Sequence, residues 1–304
     1  MDIMTDTDTT RKPVSYRLAD LLAAFQTDAE VMDTARKTGK LLGPITGLEP
    51  LDYAISYRLM PGLHALTGNS GGGKTALAWQ IAADCGFPAL FVSCEIGPLE
   101  MFRRHVSRTT STWLDALKNP KSEHALSLET LMQQARTACE YGQNIQLVDA
   151  TQGTAGTDYL ADLVRMTKEH TGGPVLLIID SLHTWTEGLQ GQATEYERLN
   201  YAIKELRTLA LQEDIPLLYI AEQSRAVNRE AAENGTINAG AGSRKIEYGA
   251  ETQISIQVDL KPDSRDAITK EYPGKLHLTK NRHGRTGTWN IRFHGGYQRV
   301  RVEE

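Results

Sequence analysis

Eight consecutive residues, Gly68-Asn69-Ser70-Gly71-Gly72-Gly73-Lys74-Thr75, have the spacing of a phosphate cradle: a glycine, four residues, then glycine, lysine and a hydroxyl. Glycines let the backbone turn its N–H groups onto an anion, and the start of a following helix adds partial positive charge. Lys74 is expected to meet the β- and γ-phosphates and Thr75 to offer its hydroxyl to Mg²⁺, with Ala76 completing the nucleotide-binding stretch. A chance match to this pattern in a chain of this length is on the order of one per cent. The strand and helix expected on either side are the context the pattern requires.

Further groups could complete a hydrolytic centre. Asp180 closes the apolar run Val175–Ile179, which places a carboxylate at the end of a strand, where it would hold Mg²⁺ through water. Glu95 follows the strand Ala89–Val92. If that strand neighbours the phosphate-loop strand, Glu95 can polarise the attacking water; the competing reading is an exposed loop glutamate. Gln223 follows the strand ending at Ile220, and its neutral amide can sense a γ-phosphate.

Lys280-Asn-Arg282-His-Gly-Arg285-Thr-Gly287 is a basic turn between two strands, and its two cations, Lys280 and Arg282, are two residues apart and share a face. They are expected at the far end of the sheet from their own phosphate loop, in reach of a neighbour's γ-phosphate. The catalytic set is therefore Lys74, Glu95, Gln223, Lys280 and Arg282. Ser224 to Glu247 is long and polar, carries Arg225, Arg229, Arg244 and Lys245, and has no Phe, Tyr or Trp. Its predicted role is to track a nucleic-acid backbone through its cations, without stacking on bases.

The elements that must position these groups alternate. Strands are predicted at Leu63–Thr67, Ala89–Val92, Ile145–Val148, Val175–Ile179 and Pro216–Ile220, with helices between them, and this order predicts crossover units around a parallel sheet. Leu276–Thr279, Thr288–Phe293 and Tyr297–Val302 read as an antiparallel extension. Residues 1–14 read as a disordered tail and 15–40 as a helical arm with Leu18, Leu21, Leu22 and Phe25 on one face. Within the arm, Thr27 and Glu30 suggest a capping box that restarts the helix, and Gly39 suggests its stop. Residues 41–304 are read as one ATPase domain.

The 304 residues are 40% hydrophobic and 23% charged, which excludes a disordered chain. No apolar run reaches the roughly 18 residues of a membrane span, and the acidic, Thr-rich start is unlike a secretory signal. Three widely spaced cysteines exclude a disulfide framework and fit a reducing cytosol, so a cytoplasmic location is expected. The net charge of −5 excludes a globally basic nucleic-acid coat, although residues 261–304 hold ten Lys/Arg against five Asp/Glu.

Taken in order, these phrases resemble the C-terminal ATPase domain of DnaB-type replicative helicases, of the RecA superfamily, over about residues 44–302. Pro44-Ile-Thr-Gly-Leu-Glu-Pro-Leu-Asp52 is similar to the family's phrase before the phosphate loop. Ser93-Cys-Glu95-Ile resembles Ser-Leu-Glu-Met, Ile178-Ile-Asp180 the Walker B strand, and Glu222-Gln223-Ser-Arg225 the Ser-Gln-Leu-Asn-Arg phrase. Gly242 to Glu251 is similar to the stretch that lines the family's central channel. Lys280 to Gly287 resembles Lys-Gln-Arg-Asn-Gly-Pro-Thr-Gly, whose Lys and Arg act in trans.

The resemblance implies a RecA-like α/β fold, ATP and Mg²⁺ at subunit interfaces, a homo-oligomer (a hexameric ring), single-stranded DNA as partner, and a bacterial, plasmid or phage setting. It also implies replication or recombination proteins as partners, and an arm that docks on the adjacent subunit. There are departures. The family's N-terminal helical domain has no counterpart, Arg285 stands where the family has Pro, and Arg244-Lys245 replace acidic and glycine residues. Two competing readings are a non-helicase RecA-family ATPase, acting as recombination mediator or regulatory oligomer, and a P-loop kinase for a small molecule.

Overall fold

The computed structural model describes residues 14–187, 194–222, 249–259 and 271–303. The chain divides into two compact units, one ending at Leu42 and the other spanning Gly43–Glu304. In the first, a 3₁₀ turn at Leu18–Leu21 leads into one continuous helix, α1, over Leu22–Thr38. The restart expected at Thr27 does not occur. The Thr27 hydroxyl instead donates to the Ala23 carbonyl four residues back, a bond available only inside a running helix. Gly39 ends α1 in the left-handed region, at φ 71°.

The second unit alternates as the apolar runs require. It begins α2 (Glu49–Ala54), β1 (Gly62–Gly68), α3 (Lys74–Asp84), β2 (Ala89–Ser93), α4 (Pro98–Thr110), α5 (Leu128–Tyr141) and β3 (Ile145–Asp149). It continues α6 (Thr157–Thr171), β4 (Leu176–Asp180), α7 (Leu182–Glu187), α8 (Glu195–Gln212) and β5 (Pro216–Glu222). Four strands close the chain: β6 (Thr252–Val258), β7 (Glu271–Asn281), β8 (Gly287–His294) and β9 (Arg299–Val302).

The nine strands among the described residues form one sheet in the order β3-β2-β4-β5-β1-β6-β7-β8-β9. Pairings from β3 through β6 are parallel, and those from β6 to β9 antiparallel. This is an α/β fold with a mostly parallel sheet and an antiparallel C-terminal extension. The central strands are buried on both faces, so β4 reads as an unbroken Leu/Ile run rather than an alternation. One face packs Leu63, Val92, Ile179 and Leu217 with Leu160 of α6 and Leu206 of α8. The other packs Leu66, Phe91, Ile178 and Ile220 with Leu77 and Ile81 of α3 and with Leu276, Ile291 and Val300 of the extension.

The phosphate-loop helix is also tied to the last strand by a reciprocal amide pair. Gln80 Nε2 donates to the Val300 carbonyl at 2.9 Å, and the Val300 N–H donates to Gln80 Oε1 at 2.9 Å.

Candidate active site

The predicted strand-loop-helix context is present: β1 ends at Gly68 and α3 begins at Lys74. Two glycines are fixed by geometry. A Cβ on Gly68 would stand 2.5 Å from the Ile256 carbonyl oxygen on β6, and Gly73 sits at φ +84° with the Phe293 ring 3.3 Å from where a Cβ would be. Lys74 is buried, and its ammonium donates to the carbonyls of Gly68 at 3.1 Å and Asn69 at 2.9 Å. Burial lowers the Lys74 pKa, and the nearby carboxylates Glu222, Asp180 and Glu95 oppose that shift.

The loop opens into a cleft of about 350 Å³ across the carboxyl ends of β1, β5, β4 and β2. Of the expected nucleotide-binding stretch Gly68–Ala76, Ser70, Gly71, Gly72, Gly73, Lys74, Thr75 and Ala76 line it, and so do Glu95 and Asp180. Asp180 ends β4 and is 4% exposed. Burial raises its pKa to about 6, against the bond from the Thr75 side chain. That bond places the two metal-ligand candidates side by side.

Glu95 differs from expectation in one respect. Its strand, β2, does not neighbour the phosphate-loop strand, because β4 and β5 lie between them. Glu95 nevertheless lines the same cleft, since all four strands point their carboxyl ends at it. The reading of Glu95 as a loop glutamate is partly right, as it is exposed. It is nevertheless held in place: the hydroxyls of Ser181 and Thr184 both donate to Glu95 Oε1 at 2.7 Å.

The basic turn lies elsewhere. Lys280 on β7 pairs with Gln253 on β6, which pairs with Ala65 of β1, three residues before Gly68. At about 3.3 Å per residue and 4.8 Å per strand, Lys280 is roughly 14 Å of backbone from Gly68, toward the amino ends of the parallel strands. Arg282 is two residues further along. Its guanidinium pairs with Glu251 at 3.2 Å, and its N–H donates to the Glu251 carbonyl at 3.0 Å. Lys280 and Arg282 are thus not gathered with Lys74, Glu95 and Asp180 in one protomer. Gln223, Arg225, Arg229, Arg244 and Lys245 lie outside the described residues.

The cleft residues that the sequence reading did not assign to the site include Arg104, Ser181, Glu222, Phe293 and Gln298. Glu222 ends β5 in register with Gly68 and is accessible to the same strand-end argument that finds Asp180. Arg104 sits within α4 and Phe293 within β8, and only the tertiary fold brings them to the loop.

A glycine loop between strand and helix, facing strand-end carboxylates over a mostly parallel sheet, defines a RecA-like P-loop domain. The family model of the DnaB-like helicase C-terminal domain matches residues 43–302, and the chain belongs to that family. Among solved structures, it is similar to a protein's ATPase domain with a TM-score of 0.76 at 20% identity, with 93% of this chain and 99% of that one covered. A DnaB-like replicative helicase, described with its interactions with primase, superposes with a TM-score of 0.74 at 18% identity over 96% of this chain and 68% of that one. A KaiC-like protein from Pyrococcus horikoshii OT3 has a TM-score of 0.55 at 18% identity, over 86% and 98%. No curated protein sequence matches the chain. Among the described residues, no helix is long and apolar enough to cross a membrane.

Proposed function

We propose that this chain is an ATP-hydrolysing motor that moves along single-stranded DNA, with each ATP bound where two copies meet in a ring. One observation carries this reading. The cleft holds a phosphate loop and its carboxylates, while the two cations expected to balance transition-state charge stand roughly 14 Å or more of backbone from Gly68, toward the amino ends of the parallel strands. A second copy can bring them to the cleft.

In this mechanism Lys74 exchanges the Gly68 and Asn69 carbonyls for the β- and γ-phosphates. The Thr75 hydroxyl and the Asp180 carboxylate are adjacent hard oxygen donors, a set that fits Mg²⁺. When bound, the metal neutralises β- and γ-phosphate charge. Glu95, anchored through Oε1, accepts a proton from water as the water oxygen bonds to the γ-phosphorus and the bond to the β–γ bridging oxygen breaks. Lys280 and Arg282 of the neighbouring copy stabilise the charge on the transferring group, Arg282 leaving Glu251 to do so. Gln223 reports the γ-phosphate to the segment that follows it, whose Arg225, Arg229, Arg244 and Lys245 hold the DNA backbone. The helical arm, whose Leu18, Leu22 and Phe25 are exposed, docks on the next subunit.

The test is the ATPase rate with and without single-stranded DNA, measured together with native mass. The expected result is an oligomer whose turnover is stimulated by DNA, the stimulation falling steeply with salt. An oligomer that hydrolyses ATP but ignores DNA would point to a regulatory ATPase. Phosphate transfer to a metabolite by a monomer would point to a kinase.

A further inference from the structure

Three aromatic rings line a groove that is separate from the nucleotide cleft. It has a volume of about 890 Å³ and lies between α2, with the turn after it, and the hairpin that joins β7 to β8. Tyr53 and Tyr57 stand on one wall, 64% and 47% exposed, and Arg285 and Trp289 on the other. Apolar side chains exposed singly are ordinary, but rings gathered in one concave site mark a contact.

Both walls are built. Ser56 and Tyr57 occupy the left-handed region at φ 60° and 55°, which a tyrosine adopts only at a cost. That turn is closed by the Tyr57 N–H donating to the Asp52 carbonyl at 2.7 Å. It brings Tyr57 back to Tyr53, with ring centroids 6.2 Å apart and planes at 83°. Opposite, the Trp289 indole lies against Gly287, where a Cβ would stand 2.8 Å from the ring. Asn281 Nδ2 donates to the Ala54 carbonyl at 2.8 Å, and Gly284 leaves no room for a Cβ against that same oxygen. Helix and hairpin are thereby held together beneath the groove.

The chemistry of the walls selects the occupant. The Arg285 guanidinium is exposed and has no ion pair among the described residues. Arg282 and His283 of the same turn pair instead with Glu251, which does not line the groove. An apolar segment of another protein would cover the Arg285 guanidinium without a counter-charge. A nucleotide within a single strand brings both a flat base for the rings and a phosphate for the arginine. The segment 224–247, expected to hold the DNA backbone, contains no Phe, Tyr or Trp and so offers no stacking of its own.

We propose that this groove is a second binding site for single-stranded DNA, in which a base stacks on the rings of Tyr53, Tyr57 and Trp289 while Arg285 holds the adjoining phosphate. This rests on the reading of the chain as acting on single-stranded DNA, and adds a stacking contact outside the basic segment that follows Gln223.

The experiment measures binding of a fluorescein-labelled oligothymidylate to the full chain by anisotropy, with Mg²⁺ and the β,γ-imido analogue of ATP present. Wild type, Tyr53→Ala, Tyr53→Phe and Arg285→Ala are compared. In parallel, wild type is irradiated with an oligonucleotide carrying iodouracil, and the crosslinked peptide is identified by mass spectrometry. Tyr53→Ala and Arg285→Ala are each expected to weaken binding roughly fivefold or more, while Tyr53→Phe, which keeps the ring, stays within about twofold. Crosslinks are expected at Tyr53, Tyr57 or Trp289. If wild type does not bind the oligonucleotide, the motor reading and this proposal fall together. If wild type binds it, alanine variants that bind as tightly, or crosslinks that fall elsewhere, overturn this proposal alone. A drop in native mass in the alanine variants would make the groove a seat for a second copy and overturn it too. The ATPase rate without DNA, expected unchanged in each variant, shows that the variants fold, and the wild-type crosslink decides the matter should one of them misfold.

Discussion

At the scale of single residues, the site rests on how few contacts hold each functional group. Glu95 is exposed, yet both hydroxyl bonds converge on its Oε1, which fixes its orientation. Replacing its carboxylate by an amide keeps the shape and removes the proton acceptor. Glu95→Gln should lower turnover by about 10²–10⁴-fold while nucleotide affinity stays near wild type. Steady-state ATPase rates beside equilibrium nucleotide binding check this, and a variant within a few-fold of wild-type turnover would remove Glu95 from the chemistry. The phosphate loop and Asp180 are legible in the sequence because their chemistry is local: eight residues in order, and a carboxylate ending an apolar run. Arg104 is not, since a cation inside an amphipathic helix reads as a solvated face until α4 is placed against the cleft. Cys94 sits between Ser93 and Glu95, but burial pushes its thiol up to about 12, so it is a packing residue rather than a nucleophile.

At the scale of elements, most strands are visible in the sequence because parallel strands buried on both faces must be apolar. β6 escapes notice for the opposite reason. Thr252, Gln253 and Ser255 make it look polar, yet all three are buried between β1 and β7. One of these polar residues explains a buried histidine. His64 of β1 sits beside Thr252, with Nδ1 2.8 Å from the Thr252 hydroxyl and Nε2 2.7 Å from the Met60 carbonyl. A carbonyl can only accept, so Nε2 carries the proton and Nδ1 accepts from Thr252. Burial lowers the His64 pKa from 6.5 to about 4. Between those values the unfolded chain binds a proton that the folded chain refuses, so this residue's effect on stability is absent above pH 6.5. As pH falls toward 4 the penalty grows to at most about 3 kcal/mol. Urea denaturation of wild type and His64→Gln across pH 4 to 7 should show the wild type losing stability toward acid more steeply than the variant. Parallel profiles would show that His64 is not held neutral by the fold.

At the scale of the whole molecule, the arrangement of the sheet argues for assembly. The glycine loop and its carboxylates occupy the carboxyl end of the parallel strands, while Lys280 and Arg282 hang on the antiparallel extension toward the other end. A single chain therefore keeps the glycine loop and the basic turn apart along the sheet. The strand order read in sequence leads to the expectation of a trans-acting basic turn, and the register through β1, β6 and β7 gives the separation a scale. Legibility ends at Gln223 and the basic segment after it, which lie outside the described residues.

Shared sites make a specific demand on mixtures. Lys74→Ala and Arg282→Ala proteins should each lack turnover, Arg282→Ala while still binding nucleotide. Unfolded, mixed and refolded together in equal amounts, they should recover measurable ATPase activity, because on the order of a quarter of the interfaces in a random ring would pair an intact loop with an intact arginine. A mixture as silent as its parents, in oligomers shown to contain both chains, would contradict a catalytic site built from two copies.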